Sequence, residues 1–274
     1  MSGGTAEHTP VERYGQLQKL RRAAALVYVA DLDAPVAAPD DAHHLLDVLR
    51  LRPDEVVVAC DGRGTWRACR VRAESGSGRR RGTPRGRAVD GHPTGAELEP
   101  VGPLTVAAQP SHPLTVAFAM TKGDRPEWTV QKLTEIGVDH IVPLLTRRTV
   151  VRLGPQERER RADKLRRVAR EAGAQSRRTH LPEVAEPVAF ERALERLPSA
   201  SLVAEPGGGF MDPGTRAVLV GPEGGWDPAE LACGLGRVDL GPSVLRADTA
   251  ALVAAALLGA ARSGAVLLPA GRAR

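Results

Sequence analysis

Large rings are nearly missing from this chain. Three Phe, three Trp and two Tyr make up 3% of its 274 residues, so its interior has to be filled by Ala, Val and Leu rather than by aromatic side chains. Cysteine is as rare. Cys60, Cys69 and Cys233 form no Cys-x-x-Cys pair and are odd in number, which argues against a disulfide framework and a zinc site. No metal is expected, and a reducing cytoplasm is the expected setting. Long apolar runs are lacking too. The longest uncharged run near the C-terminus, 249–261, stops at Arg262 and is too short to span a bilayer, so no membrane partner is expected. The N-terminus carries Glu7 and Glu12 without an apolar stretch and does not read as a signal peptide. The length suits one large or two modest domains. The net charge of +5 is small, but the arginines are clustered, and clustered positive charge is what a polyanion meets.

Residues 1–24 are polar and Arg-rich and read as a loosely ordered extension with at most one short helix. β-like runs follow at 26–29, 55–59 and 65–71, with Asp61-Gly62-Arg63-Gly64 as a hairpin signal between the last two. Residues 42–51 read as a helix burying Leu45, Leu46, Val48 and Leu49, with His43 and His44 in structural roles. Together 25–110 predict a small β-rich module. Inside it, 74–103 are low-complexity Ser, Gly, Pro and Arg, including Arg79, Arg80, Arg81, Arg85 and Arg87. This stretch reads either as a disordered inserted loop or as an electrostatic arm for RNA phosphate. Residues 104–108 return to the module and 110–113 form a linker.

From residue 114 strands and helices alternate, which predicts an α/β fold with a parallel sheet under covering helices. Strands are expected at 114–120, 141–145, 201–204, 217–220 and 238–240, and a helix at 126–136 ended by Gly137. A long helix at 155–172 carries an apolar stripe of Ala162, Leu165, Val168, Ala169 and Ala172. Its other face holds Arg158, Arg160, Arg161, Arg166, Arg167 and Arg170. Because Glu157, Glu159 and Asp163 fall in the first half, the second half is net basic: a solvated face or an RNA contact. The last helix, from Thr249, is apolar almost all round and reads as buried, in this domain or against another chain.

Two stretches near the C-terminus share one pattern: a short apolar strand, a Gly/Pro-rich loop with one carboxylate, and a helix start. In the first, residues 218–231, Asp227 is an N-cap, Pro228 occupies the first helical position, and Glu230 completes a capping-box spacing. In the second, residues 238–251, the loop holds Gly241 and Pro242. The first spells neither a Walker loop nor a dinucleotide fingerprint, and Glu223 at its tip would repel a polyphosphate. A neutral or cationic ligand suits it better, with an ordinary glycine-rich connection as its other reading; two such loops together can bring bare backbone against a ligand, since glycine lets the main chain approach closely.

These residues carry a resemblance. Gly-Pro-Glu-Gly-Gly at 221–225, then Leu240-Gly241-Pro242 with Leu245-Arg246 and Thr249-Ala250, resembles the C-terminal signature of the bacterial 16S rRNA uridine-N3 methyltransferases, of the trefoil-knotted SPOUT class. Lys122-Gly-Asp-Arg125, Trp128, Gln131-Lys132 and Thr134-Glu135 with Gly137-Val138 are similar to the start of that family's catalytic domain. Glu171-Ala172 with Gln175-Ser176 and Arg178 matches its middle, and His44, Val48-Leu49-Arg50 and Asp61-Gly62 match its N-terminal PUA-like barrel. The motifs run in order over 43–250. Two positions depart: Ala247-Asp248 replaces Thr-Glu, and Thr146-Arg147-Arg148 replaces Thr-Glu-Arg, so position 147 is given no acidic role.

The resemblance implies a flexible extension at 1–24, a PUA-like β-barrel at 25–110 and a methyltransferase domain at 114–270. True knots are almost absent from proteins, so the knot is implied by the resemblance alone. It also implies S-adenosylmethionine as cofactor, 16S rRNA within the 30S subunit as partner, and a homodimer. By family position Ala204, Glu205, Leu219, Val220, Gly221, Pro222, Glu223, Gly224, Gly225, Leu240, Gly241, Val244, Leu245 and Arg246 would wrap the cofactor. Lys122, Arg125, Arg148, Gln175 and Arg178 would meet RNA. Glu223 would hydrogen-bond within the loops or face the donor's positive charge. Arg246 and Asp248 are the catalytic candidates. Arg246 would neutralise charge developing on uracil or grip phosphate, with a buried salt bridge as the alternative. Asp248 would act on the N3 proton or cap the last helix. Other acceptors, a ribose 2′-hydroxyl or a tRNA base, and a non-catalytic ribosome-assembly role are the competing readings.

Overall fold

The computed structural model describes residues 10–52, 54–72 and 95–264. The chain packs as two units, one from residues up to Gln109 together with Ala174–His180, the other from Pro110–Gly173 and Leu181 onward.

The first unit begins with helix α1 (Pro10–Arg22) and strands β1 (Ala25–Tyr28) and β2 (Val36–Ala37). A short helix α2 (Pro39–His43) follows and widens into a π-turn over His44–Val48. Then come β3 (Val56–Cys60), β4 (Thr65–Val71), β5 (Ala96–Pro100) and β6 (Thr105–Val106). Their order is β1-β3-β4-β5-β2, with β6 on β4. Both edge strands feed one core, which contains Val27, Ala37, Leu45, Val57, Ala59, Cys69 and Leu98, so the sheet wraps around it. The β3–β4 hairpin sits where the glycines predict it. Asp61 Oδ1 accepts from the backbone N–H groups of Arg63 and Thr65 at 2.7 and 3.0 Å and fixes the turn.

Two expectations fail here. Val48 and Leu49 are 58% and 41% exposed instead of buried, because the helical stretch widens at His44 and turns those side chains outward. Residues 95–103 do not belong to a structureless insert: β5 pairs with β2 and β4. Ala96 and Leu98 face the core while Glu97 and Glu99 face out, the period of two that marks a half-buried strand. The Arg-rich remainder at 74–94, like the extension before residue 10, lies outside the described residues.

Residues 174–180 are tied to the β unit by their backbone. The Tyr28 hydroxyl donates to Arg178 O at 2.7 Å, and Gly64 N donates to Thr179 O at 2.9 Å. Arg177 adopts a left-handed φ of 60°, and its guanidinium donates to the carbonyls of Ala23, Ala24 and Ala174 at 3.2, 2.8 and 3.1 Å. Three satisfied carbonyls offset the strain of that φ.

The second unit alternates β7 (Thr115–Ala119), α3 (Arg125–Ile136), β8 (His140–Leu145), α4 (Pro155–Gln175), β9 (Glu183–Val184), β10 (Val188–Ala189) and α5 (Phe190–Leu194). β11 (Ser201–Gly209), β12 (Ala217–Val220), α6 (Pro228–Leu231), β13 (Gly236–Val238) and α7 (Ala247–Ser263) complete it. The sheet order is β10-β8-β7-β12-β11-β13, with β9 on β8, and every pair is parallel. Val116, Phe118, Val218 and Val220 face α3, α4 and α7, whose Leu133, Leu165, Ala254 and Leu258 cover them. Ala117, Leu144 and Leu219 face the other way, onto Phe190 and Trp226. Strands covered on both sides read as continuous apolar runs, as 217–220 does. Alanine lets α7 press close to the sheet, which is how a core with so few rings is filled.

Candidate functional site

Because all seven strands are parallel, the loops after β7, β8, β11, β12 and β13 leave from one edge of the sheet. That edge, beyond the carboxyl ends of the strands, is where open α/β sheets bind ligands. It gathers most of the residues singled out from the sequence. Leu219 and Val220 end β12, Ala204 lies within β11 just before its register shift, and 221–225 and 240–246 form the loops beyond.

The first loop is fastened at every turn. The Asp227 side chain accepts from Ala229 N at 3.0 Å and Glu230 Oε2 accepts from Asp227 N at 3.0 Å, which completes the expected capping box. Glu230 is 2% exposed, and its other oxygen accepts from Arg147 N at 2.8 Å, so one buried carboxylate joins the loop after β8 to the start of α6. Trp226 donates from Nε1 to Ala204 O at 2.9 Å and packs against Phe190 with centroids 5.3 Å apart. Gly221 lies against that indole: a Cβ there would sit 2.9 Å from its ring. The glycine is needed for the packing of Trp226, beyond any ligand.

The second loop is held differently. β11 runs past Ala204, its expected end, because the register shifts and Val238 pairs with both Ala204 and Gly209. A Cβ on Gly208 would meet the Val238 backbone at 2.7 Å, so the bulge at 205–208, which includes Glu205, closes only on glycine. Asp239 joins bulge and loop. Its Oδ2 accepts from Gly207 N and its Oδ1 from Gly241 N, both at 2.9 Å. The N–H groups of Gly241 and Gly207 hold its carboxyl below the usual carboxylate range. Sequence reasoning passed over Asp239; an Asp two residues before a glycine in a Gly-Pro turn was the available signal. Beyond it Val244 is 94% exposed and Leu245 half-buried.

Arg246 is exposed and makes no ion pair among the described residues, so it is not in a buried salt bridge. It is the N-cap residue of α7. Asp248 is therefore not the N-cap: it lies in the first turn, and its Oδ1 accepts from Thr249 N at 2.8 Å. The helix starts before Thr249 because Ala247 is buried and already helical.

A cavity of about 500 Å³ opens beside the first loop, lined by Met120, Lys122, Arg125, Arg148, Val150 and Glu223 among others. Arg148 Nη1 donates to Gly224 O at 2.9 Å, and Arg125 Nη1 pairs with Glu223 Oε1 at 3.2 Å. Glu223 thus pairs with the first residue of α3. Arg147 lies 3.9 Å from both Asp227 and Glu191, consistent with giving that position no acidic role. Gln175 is exposed and Arg178 half-buried and partnered, and both belong to the first unit. On α4, Arg161 and Lys164 bind the buried Glu127 at 2.8 and 2.7 Å. Burial pushes the Glu127 carboxyl up, but the Lys164 and Arg161 contacts outweigh it and the net shift is downward. That part of the basic face is structural.

The Gly-rich edge loops offer backbone donors and acceptors beside a close-packed glycine turn, which fits a compact cofactor held mostly by main chain. Among the described residues no group of three or more His, Cys, Asp or Glu is placed to hold a metal, and no helix is long and apolar enough to cross a membrane.

Residues 108–259 match the model of an RNA methyltransferase domain, and 38–78 match an RNA methyltransferase PUA domain. Over 257 residues the chain is 31% identical to the ribosomal RNA small subunit methyltransferase E of Mycobacterium bovis, covering 86% of this chain and 91% of that one. The protein of the same name from Bacillus subtilis is 25% identical over 245 residues, 78% of this chain and 85% of that one. Among solved structures, the ribosomal RNA small subunit methyltransferase E of Neisseria gonorrhoeae, bound to S-adenosyl methionine, superposes with a TM-score of 0.66 at 27% identity, covering 85% of this chain and 96% of that one.

Proposed function

The chain belongs to the ribosomal RNA small subunit methyltransferase E family and is an S-adenosylmethionine-dependent rRNA methyltransferase, and we propose that its acceptor is N3 of a uridine in 16S rRNA, met in the 30S subunit. The observation that carries this reading is the convergence, inside the matched 108–259, of the two Gly-rich loops and the β11 bulge at one edge of a parallel sheet.

The bulge at 205–208 and the loops at 221–225 and 240–245 would hold the cofactor, largely through backbone. S-adenosylmethionine, when bound, supplies an electrophilic methyl on a sulfonium sulfur. The acceptor must be held in line with it, so positioning carries much of the rate. Uracil N3 loses its proton as it attacks. Arg246, exposed and without an ion pair among the described residues, would balance the negative charge developing on the uracil oxygens. Asp248 Oδ1 is engaged by Thr249, and Oδ2 is left to accept the N3 proton. The trefoil crossing belongs to the same reading, as does the homodimer, for which the half-exposed Leu252, Val253 and Leu257 of α7 offer an apolar face.

Incubation with labelled S-adenosylmethionine and unmodified 30S subunits, followed by digestion to nucleosides, is expected to place the label in 3-methyluridine. Label in another nucleoside would move the acceptor. Arg246→Ala is expected to lower turnover by about 10²-fold and cofactor affinity far less; unchanged turnover would remove Arg246 from the mechanism.

A further inference from the structure

The cavity beside the first loop has the wrong charge for the methyl donor. Its lining carries Lys122, Arg125 and Arg148 against the single carboxylate of Glu223, a net of +2 (3 − 1). A sulfonium is poorly matched by that surplus, whereas an anion is well matched. We propose that this cavity is a phosphodiester subsite for the substrate RNA, and that Glu223 occupies it as an internal stand-in for the phosphate until RNA enters. The inference rests on the reading of RNA as acceptor and assigns one face of the Gly-Pro-Glu-Gly-Gly loop to RNA rather than to the cofactor.

Three observations carry it. The Arg125–Glu223 pair is a single contact of 3.2 Å between side chains 43% and 47% exposed, an exchangeable surface pair. A carboxylate in the first turn of the same helix, Glu127, is by contrast side-chain buried at 10% and gripped by two cations at 2.8 and 2.7 Å. One of the two is thus fixed and the other free to leave. Secondly, Lys122 makes no ion pair among the described residues, although it lines the same cavity. A phosphate bridging Lys122 and Arg125 would gain two charge-assisted contacts in place of one. Thirdly, the loop need not move when the carboxylate departs. Gly225 N donates to Pro222 O at 2.8 Å and Arg148 holds Gly224 O at 2.9 Å, so Glu223 can swing as a side chain on a fixed backbone.

The test uses the full-length protein and a labelled oligouridylate of about 20 nucleotides, with anisotropy followed across a salt series. Lys122→Ala and Arg125→Ala are each expected to weaken binding and to flatten the log–log salt slope by about 0.7 to 1, one phosphate contact. Lys122→Arg is expected to restore the slope. Glu223→Gln, which removes the internal competitor, is expected to tighten binding by about threefold at low salt. Unaltered slopes in both alanine variants, or weaker binding by Glu223→Gln, would overturn the proposal. Thermal midpoints of the variants guard against misfolding. Methylation of 30S subunits by the wild-type protein is measured alongside. Transfer to 30S with unaltered salt slopes sinks the subsite and spares the acceptor; no transfer with the expected slopes does the reverse.

Discussion

The two strand-to-helix turns at the edge of the sheet share a sequence pattern and differ in how they are held. At 221–231 a buried glutamate, a capping box, a buried tryptophan and an arginine from a neighbouring loop tie the turn to itself and to its neighbours. At 240–247 the helix start has no side-chain cap, Val244 is almost fully exposed, and Asp239 is the side chain that ties the loop to the bulge. A preassembled turn offers a ligand a finished surface at no ordering cost; the looser one can close over it afterwards. Local fastening, rather than glycine content, sets which loop is rigid.

Gly221→Val attacks the rigid turn most directly. Its side chain would be driven into the Trp226 indole, and overpacking of this kind costs about 2–3 kcal/mol. A large fall in thermal midpoint together with lost cofactor binding is expected; a normal cofactor Kd in a folded variant would refute the role given to this glycine. Glu230→Ala comes next. It strands the N–H groups of Arg147 and Asp227, at about 2 kcal/mol, and amide hydrogen exchange at both residues should rise together. If Arg147 stays protected, the carboxylate is not what joins the two loops.

At the looser turn effects should fall on affinity rather than stability. Asp239→Ala is expected to weaken cofactor binding by about threefold to tenfold with little change in thermal midpoint. The pH dependence follows from its lowered pKa. The carboxylate's contribution is full above the ordinary aspartate range near pH 4 and fades as pH falls through the lower folded value. Cofactor affinity should therefore hold down to about pH 4 and decline below it, and Asp239→Asn should flatten that decline; an unchanged profile would exclude Asp239. The smallest effect belongs to Val244→Ser, within about 0.5 kcal/mol in stability. A larger loss would mean that Val244 is covered in solution.

The capping box of the rigid turn was legible because it is local: an Asp, a Pro and a Glu at that spacing need no knowledge of the fold, whereas the contacts of Arg147, Arg148 and Ala204 with the turn come from distant parts of the chain. Strand 65–71 and the helix stop at Gly137 were legible for the same reason. Asp248 was misplaced because the start of α7 is set by burial of Ala247 against the sheet, which spacing does not reveal. The Ala-Glu-Leu-Glu alternation of β5 was present in the sequence but hidden at the end of a low-complexity stretch. Arg177 had no signal at all, since two of the three carbonyls that hold this left-handed arginine, those of Ala23 and Ala24, lie far away in the chain.

The segment 174–180, anchored by that arginine, changes what a covalent boundary means here. The polypeptide passes between its two packing units three times, after Gln109, Gly173 and His180. No single cut can yield fragments that correspond to those units. A fragment starting at Pro110 would carry Tyr28's and Gly64's partners away from the strands that hold them. The unit that holds the edge loops is therefore poorly suited to excision or domain grafting.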